Sequence, residues 1–222
     1  MTSTEFQDRL AARARHAGIS IIADAQPQLE AYFRLLARWN AKINLTALPL
    51  RRPTDQTFDR LLIEPCAAAR CVADSAQRWF DVGSGGGSPA IPMKIAYPRA
   101  ELTMVESKAR KVAFLREAVR SLGLSDVRVE NLRFEEFAQR SQLNSIDLVT
   151  IRGVKGDPGL FASIRAVLSP VGRVFLFHSS NSEGSVPAGF EMVEMVRLGT
   201  SNDARLSILK PAVFHVEQRV II

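Results

Sequence analysis

The stretch RWFDVGSGGGSPAIP, Arg78 to Pro92, decides the fold. Trp79, Phe80 and Val82 are residue types that suit a buried strand. The strand then breaks into Gly83-Ser84-Gly85-Gly86-Gly87, and an apolar run resumes at Ala90-Ile91. Strand, glycine-rich turn and helix, in that order, are how a doubly wound sheet holds a nucleotide. A turn without Cβ atoms lets a ligand lie against the main chain, and the helix start behind it offers free N–H groups.

The spacing narrows the ligand. A dinucleotide loop reads G-x-G-x-x-G, but Ser88 stands where the third glycine belongs, and no G-K-[ST] follows for a P-loop. Asp81 to Gly87 reads Asp-x-Gly-x-Gly-x-Gly, which resembles the first motif of S-adenosylmethionine-dependent methyltransferases. That cofactor carries an ammonium and a sulfonium and no phosphate. A carboxylate at Asp81 attracts it and would repel a pyrophosphate.

With 222 residues, 46% of them hydrophobic, the chain can bury one full core. The expected organisation is one structural unit: a helical segment, 1–75, packed on a cofactor-binding domain, 76–222. No apolar run approaches the roughly 18 residues of a membrane span. The first twenty residues lack the apolar centre of a secretion signal, and Glu5 and Asp8 argue against a transit peptide. Cys66 and Cys71, the only cysteines, fit a reducing cytoplasm better than a disulfide framework. The net charge of +6 fits an anionic partner such as nucleic acid. No metal is expected.

In chain order, Leu29, Phe33, Leu36 and Asn40 recur at the helix period, predicting a helix over Gln28–Ile43 that ends at Asn44-Leu45-Thr46. A second apolar helix is expected from about Phe58 to Val72. Beyond the glycine loop, strand and helix alternate. Leu102 to Val105 reads as the second strand, ending in Glu106, about 20 residues past the loop, where such sites place the acid that bonds ribose hydroxyls. Ser107 is the expected cap of the next helix, which carries Val112, Leu115, Val119 and Leu122 inward and stops at Gly123. Lys108, Arg110 and Lys111 lead its cationic surface, either a phosphate-binding ridge or solubilising charge.

Val127 to Val129 is the third strand, with a turn and short helix after it from Leu132 to Phe137. There Phe134 offers the adenine an apolar contact and Glu135 a hydrogen bond, although composition suits Phe134 equally to plain core. The fourth strand, Ile146 to Ile151, puts Arg152 at its carboxyl end, the edge where open α/β sheets bind ligands. A helix to Leu168, a turn at Ser169-Pro170-Val171-Gly172 and a fifth strand, Arg173 to Phe177, follow. Glu191–Leu198 and Leu206–Leu209 read as a closing hairpin around Thr200-Ser201-Asn202-Asp203. The fold class is therefore α/β: a Rossmann-like class I methyltransferase with a seven-stranded, mostly parallel sheet and an N-terminal helical extension.

The chemistry narrows by elimination. Amino-group methylation of bases commonly uses Asn/Asp-Pro-Pro-aromatic after the fourth strand; this chain has Thr150-Ile151-Arg152-Gly153. Methylation at pyrimidine C5 needs a cysteine nucleophile, and Cys66 lies ahead of the cofactor loop and reads as a buried helix residue. His178 is either a general base or a strand-end residue with no such task. Methylation of a ring nitrogen with a free lone pair, such as guanine N7, needs no base and reduces to alignment. A diverged methyltransferase acting on another RNA or on a small molecule, an NAD-dependent oxidoreductase and a noncatalytic RNA-binding module stay as alternatives.

Longer motifs sharpen this. Arg38-Trp39-Asn40-Ala41-Lys42-Ile43-Asn44-Leu45-Thr46, Phe80 to Gly87 with Pro89 and Ile91-Pro92, Glu106-Ser107, Lys111 to Arg116, Arg133 to Phe137 and Val149 to Arg152 resemble the RsmG (GidB) family of bacterial ribosomal RNA guanine-N7 methyltransferases. The likeness covers nearly the whole chain. It implies S-adenosylmethionine as cofactor, touching Gly83, Ser88, Phe134, Glu135 and Arg152, and a guanine in the decoding region of 16S ribosomal RNA as target. Asp81, Gly85 and Glu106 join that cofactor set from the loop and strand reading. Arg152 is the one catalytic candidate, and the rest of catalysis is positioning. A cytoplasmic monomer acting on the small ribosomal subunit is expected. The chain departs from the family pattern at Arg60 to Glu64, Ser88, Ile151 to Gly153 and His178-Ser179.

Overall fold

β1, Arg78–Val82, is the strand from which the sheet is laid out. In the computed structural model, which describes residues 1–178, 185–199 and 204–212, it pairs in parallel with β2, Glu101–Val105, on one side and β4, Ile146–Arg152, on the other. β3, Val127–Glu130, extends the first side. β5, Leu168–His178, extends the second, and β7, Arg205–Pro211, and β6, Phe190–Arg197, add antiparallel pairings beyond it. The order is β3-β2-β1-β4-β5-β7-β6, seven strands and mostly parallel, as expected. The chain winds outward from β1 to β3, then returns to β4. The crevice between β1 and β4 is thus the switch point, where such sheets bind ligands.

Alternation along β1 splits the interior in two. Trp79 packs into a core shared with the N-terminal helices and with α5, Ala90–Ala96, and α6, Ala109–Ser121. Phe80 and Val82 face the opposite core, under α7, Phe134–Gln139, and α8, Pro158–Val167. Among the described residues no helix is long and apolar enough to cross a membrane.

The N-terminal part holds more helix than periodicity announced. α1, Ser3–His16, buries Phe6, Leu10 and Ala14, four residues apart. Thr2 and Glu5 close a capping box at its start: the Thr2 hydroxyl accepts from Glu5 N, and the Glu5 carboxylate accepts from Thr2 N. α2, Ala25–Asn40, begins and ends three residues before the expected bounds. Asn40 Oδ1 accepts from Leu45 N and Thr46 N, which is how the Asn-Leu-Thr stretch leaves the helix. The rings of Phe6, Phe33 and Phe58 meet at centroid separations of 5.1 to 5.5 Å.

Three expectations change. The helix predicted over Phe58–Val72 is α3, Asp55–Phe58, a π-helical turn, Asp59–Ile63, and α4, Glu64–Ala69. In the π turn Glu64 N donates to Asp59 O, five residues back, so the Arg60 carbonyl is left without that partner. Pro65 has no N–H to give the Leu61 carbonyl. Both carbonyls turn outward, and the site uses them. Ser107 does not cap α6: Lys108 is the cap residue, and its N–H goes to Glu106 Oε1. Ser169 to Gly172 is not a free turn but part of β5, where the register against β4 shifts between Ile146 and Leu148. A Cβ at Gly172 would stand 2.7 Å from Ile146 O, so only glycine lets the strands close after the bulge. Thr200 to Asp203, the expected hairpin turn, and Ser179 lie outside the described residues.

The joint between α2 and the glycine loop is a single polar contact in an apolar seam. Tyr32, fully buried, donates its hydroxyl to Gly86 O at 2.7 Å, and burial raises its pKa. Tyr32→Phe leaves that carbonyl unpaired. The expected loss is about 1–3 kcal/mol of unfolding free energy, read by urea denaturation. An unchanged midpoint would show that the loop does not depend on α2.

Candidate active site

The glycine loop leaves β1 over a carboxylate. Asp81 is 1% exposed, and its Oδ1 accepts from the Thr150 hydroxyl, which in turn accepts from Trp79 Nε1 at 2.8 Å. Asp81, Trp79 and Thr150 share one face because Asp81 pairs with Thr150 across β1 and β4. Asp81 Oδ2 is buried with no hydrogen-bond partner among the described residues. Burial is the main reason its pKa is pushed up to about 6; the charge of Glu106 adds to this, while hydrogen bonds and Arg152 oppose it.

The loop itself is pinned by its neighbours. Gly83 N and Ser84 N both donate to Val105 O at the end of β2. Glu106 reaches back so that Oε2 accepts from Gly85 N at 3.0 Å and Oε1 from Lys108 N at 2.8 Å. Each oxygen keeps a lone pair for a further donor. The close approach is real at Gly83, where a Cβ would sit 2.6 Å from Val154 Cγ2. Gly85, at φ +52°, takes a left-handed backbone with open space before it; its Cβ would meet only Gly83 O, at 3.6 Å.

Arg152 closes the other side. Its guanidinium stacks on Phe177, 4.3 Å from the ring centroid. Nη2 donates to Glu64 Oε2 and Nη1 to Arg60 O, the carbonyl released by the π turn, with a longer contact to Ser88 Oγ at 3.3 Å. Burial pulls its pKa down to about 10, against the charge of Glu64. Ser88 Oγ itself donates toward the Leu61 and Arg60 carbonyls, at 3.2 and 3.4 Å.

Of the sequence-predicted residues, Asp81, Gly83, Gly85 and Glu106 come together around the loop, and Ser88 and Arg152 meet beside it. Phe134 is in the core, with Phe80 and Phe137 around it at 6.5 and 6.3 Å between centroids. Glu135 is half-buried on the first turn of α7. Lys108 and Arg110 are exposed and Lys111 half-buried at the start of α6, the first of them two residues from Glu106. His178 Nε2 shares a hydrogen bond with Ser207 Oγ at 2.7 Å, and burial lowers its pKa. Cys66 is buried and its thiol is pushed up to about 12, so it is no ready nucleophile.

Sequence reasoning passed over Tyr32, Arg60 and Glu64. Glu64, 1% exposed, bridges Arg60 and Arg152. The one readable signal was Glu64-Pro65 in an apolar run, an acid where burial is costly and a proline that frees a carbonyl.

The arrangement fits S-adenosylmethionine. An unpartnered buried carboxylate oxygen suits a cation, the loop leaves room for a ligand against its main chain, and Glu106 holds acceptors for ribose hydroxyls.

Known proteins agree. The structure of an S-adenosylmethionine-dependent methyltransferase from Aquifex aeolicus superposes with a TM-score of 0.55 at 14% identity, over 71% of this chain and 93% of that one; this likeness shows the fold. The ribosomal RNA small subunit methyltransferase G of Myxococcus xanthus is 32% identical over 174 residues, 78% of each chain. Its counterpart in Pseudomonas aeruginosa strain LESB58 is 37% identical over 139 residues, 63% of each, so the match spans just under two thirds of that relative. The family model for rRNA small subunit methyltransferase G matches residues 25–195. That match covers well over half of the sequence, and the chain belongs to the GidB family.

Proposed function

We propose that this chain methylates N7 of a guanine in 16S ribosomal RNA, in the decoding region, with S-adenosylmethionine as donor. One observation carries the cofactor: two carboxylates, Asp81 and Glu106, bracket a glycine loop at the switch point, an arrangement that favours a cationic nucleotide and disfavours a pyrophosphate. The target rests on the family to which the chain belongs.

When bound, the cofactor supplies a methyl group on a positively charged sulfur. The N7 lone pair would take that methyl and the C–S pair would stay with sulfur, so no residue of the chain would have to move a proton. The chain has only to align and to dry. Alignment of this kind is worth roughly 7–11 kcal/mol. Asp81 would face the ammonium, Glu106 the ribose hydroxyls, and Phe134 with Glu135 the adenine. Gly83, Gly85 and Ser88 would lie along the cofactor, and Arg152 would meet its carboxylate end. Lys108, Arg110 and Lys111 would take RNA phosphates. Residues 1–75 and 76–222 would work as one unit, as a cytoplasmic monomer where ribosomal RNA is made. The central experiment is to treat small subunits from cells lacking the gene with the purified protein and map 7-methylguanosine. Methylation at one decoding-region guanine is expected, and none at any guanine would refute the reading.

Gly85→Leu puts a side chain in the cofactor's place while meeting little of the protein. The backbone strain costs about 1–2 kcal/mol, and the fold survives. Calorimetry is expected to show no cofactor binding; an unchanged Kd would remove the loop from the site.

Asp81→Asn tests the buried charge through two opposite readouts. The folded-state pKa lies above the unfolded 3.8, so the penalty on the charged form is absent below pH 4 and complete above pH 6. The variant is therefore expected to melt higher than wild type at pH 7.5 and alike at pH 4. Its cofactor Kd rises about tenfold or more at pH 7.5. Wild-type affinity falls as pH drops through 6, while the variant's stays flat between pH 5 and 7. A variant that binds as tightly as wild type contradicts the ammonium contact.

Replacing Lys108, Arg110 and Lys111 with Glu is expected to weaken RNA binding and flatten its dependence on salt, by up to about 0.7–0.9 in log–log slope per lost phosphate contact. Filter binding across a salt series decides between this ridge and plain surface charge.

A further inference from the structure

Arg60 stands in the π-helical turn, on the wall shared by the two cavities that flank the cofactor loop. The larger, about 760 Å³, opens at the carboxyl ends of β4 and β5, beside Gly153, Val154, Phe177 and His178. The smaller, about 260 Å³, lies between Gly86 and Ser88 on one side and Leu45 to Leu48 on the other. Val154 reaches Gly83 from the wall of the larger cavity, so that cavity borders the loop directly. A methyl group passing from cofactor to target has to cross this boundary.

The Arg60 guanidinium is only partly used. Both of its hydrogen bonds leave from Nη1, to Glu64 Oε2 at 3.4 Å and to His178 O at 3.1 Å. Nε and Nη2 have no hydrogen bond among the described residues, although they carry three of the five guanidinium N–H donors. The side chain is a quarter exposed, and its backbone is fixed by the Arg152 bond to Arg60 O. A held arginine with open donors on a cavity wall calls for an acceptor from outside. π-helical turns of this kind concentrate at functional sites.

We propose that Arg60 recognises the target guanine, its open N–H donors on O6 and the base in the larger cavity. The proposal rests on the guanine-N7 reading above. N7 must keep its lone pair for the methyl, so an arginine cannot take N7 and O6 together, and O6 remains. Apolar walls favour a base over a phosphate: Ile151, Val154, Leu176 and Phe177 all line this space. Its volume lies within the roughly 300–1,000 Å³ of ligand sites. A base reaches such a cavity by leaving its stack in the RNA. Phe177 is held beneath the Arg152 guanidinium, so cofactor and target sides meet through one stacked pair.

The test uses the full chain and small subunits reconstituted with ribosomal RNA carrying guanine, inosine or 2-aminopurine at the target position. Inosine keeps O6; 2-aminopurine lacks it and keeps N7. Arg60→Lys preserves charge and loses the planar fork. Expected are a fall in kcat/KM on guanine RNA of about ten- to hundredfold and loss of the wild-type preference for inosine over 2-aminopurine. Cofactor Kd stays within about twofold. Arg60→Gln, with a thermal melt of each variant, covers the case in which lysine unfolds the turn. A variant that discriminates as wild type does overturns the proposal. So does an equal loss on all three RNAs with a salt slope lower by about one, which marks a phosphate contact. Loss of cofactor affinity would move Arg60 to the cofactor side and overturn it too. A wild-type protein that methylates none of the three RNAs strikes the guanine-N7 reading itself, and this proposal with it.

Discussion

Asp81 sits under the glycine loop with one carboxylate oxygen on Thr150 and the other without a hydrogen-bond partner among the described residues. Moving its pKa from 3.8 to about 6 corresponds to about 3 kcal/mol against the charged form, a large share of what holds a domain folded. The surrounding structure has to tolerate that charge. Trp79 and Thr150 form a fixed relay beneath it, the parallel pairing of β1 with β4 brings them together, and Arg152 supplies the nearest opposing charge. A rigid floor of this kind keeps the carboxylate aimed when no ligand is near. In the proposed reading the free energy lost on folding would be recovered when the cationic cofactor arrives, so affinity and instability would come from the same atom.

The second constraint is the disposal of two carbonyls. An uninterrupted helix through Phe58 to Val72 would satisfy Arg60 O and Leu61 O internally and leave nothing for its neighbours. The π turn frees one and Pro65 the other. Arg152 from β4 and Ser88 from the loop take them up. The N-terminal segment is thereby bonded to two strand ends at the point where ligands bind, and Glu64 adds its charge to the same joint. Tyr32 does the equivalent for α2 and Gly86. These helices thus pack against the loop and the end of β4 from one side.

What could be read from the sequence was whatever local chemistry enforces. The glycine loop, the alternation of strand and helix, and the acid ending β2 follow from residue type and period, and all stand in the structure where spacing put them. The breaks in regularity were out of reach. A π turn differs from an α-helix by one hydrogen bond, and no periodicity over Asp59–Ile63 marks it. Ser169 to Gly172 carries every sign of a turn, yet it is taken into β5 as a bulge because the paired backbone of β4 lies alongside. Ser107 looked like a cap, but the helix begins one residue later, with Lys108 in the cap position and its N–H taken by Glu106. Tyr32 and Arg60 gain their importance from partners 54 and 118 residues away. α1 was legible in part: Thr2 and Glu5 at capping-box spacing and apolar residues every fourth position were present in the sequence.

Charge is divided across the site, and the division bears on turnover. Asp81 and Glu106 lie at the glycine loop; Arg60 and Arg152 lie toward the ends of β4 and β5. Methyl transfer to N7 moves a positive charge from sulfur to the purine. In the proposed arrangement Asp81 and Glu106 would keep their ammonium and ribose contacts, while Arg60 would face a cationic base whose O6 is a poorer acceptor. The methylated base would then be held less tightly than the guanine it replaces. The arginine proposed to align the target would therefore loosen its hold once the bond has formed. The constraint runs backward as well: a carboxylate placed beside the target base would bind the methylated product better than the substrate and slow its departure, and arginine on that wall avoids this.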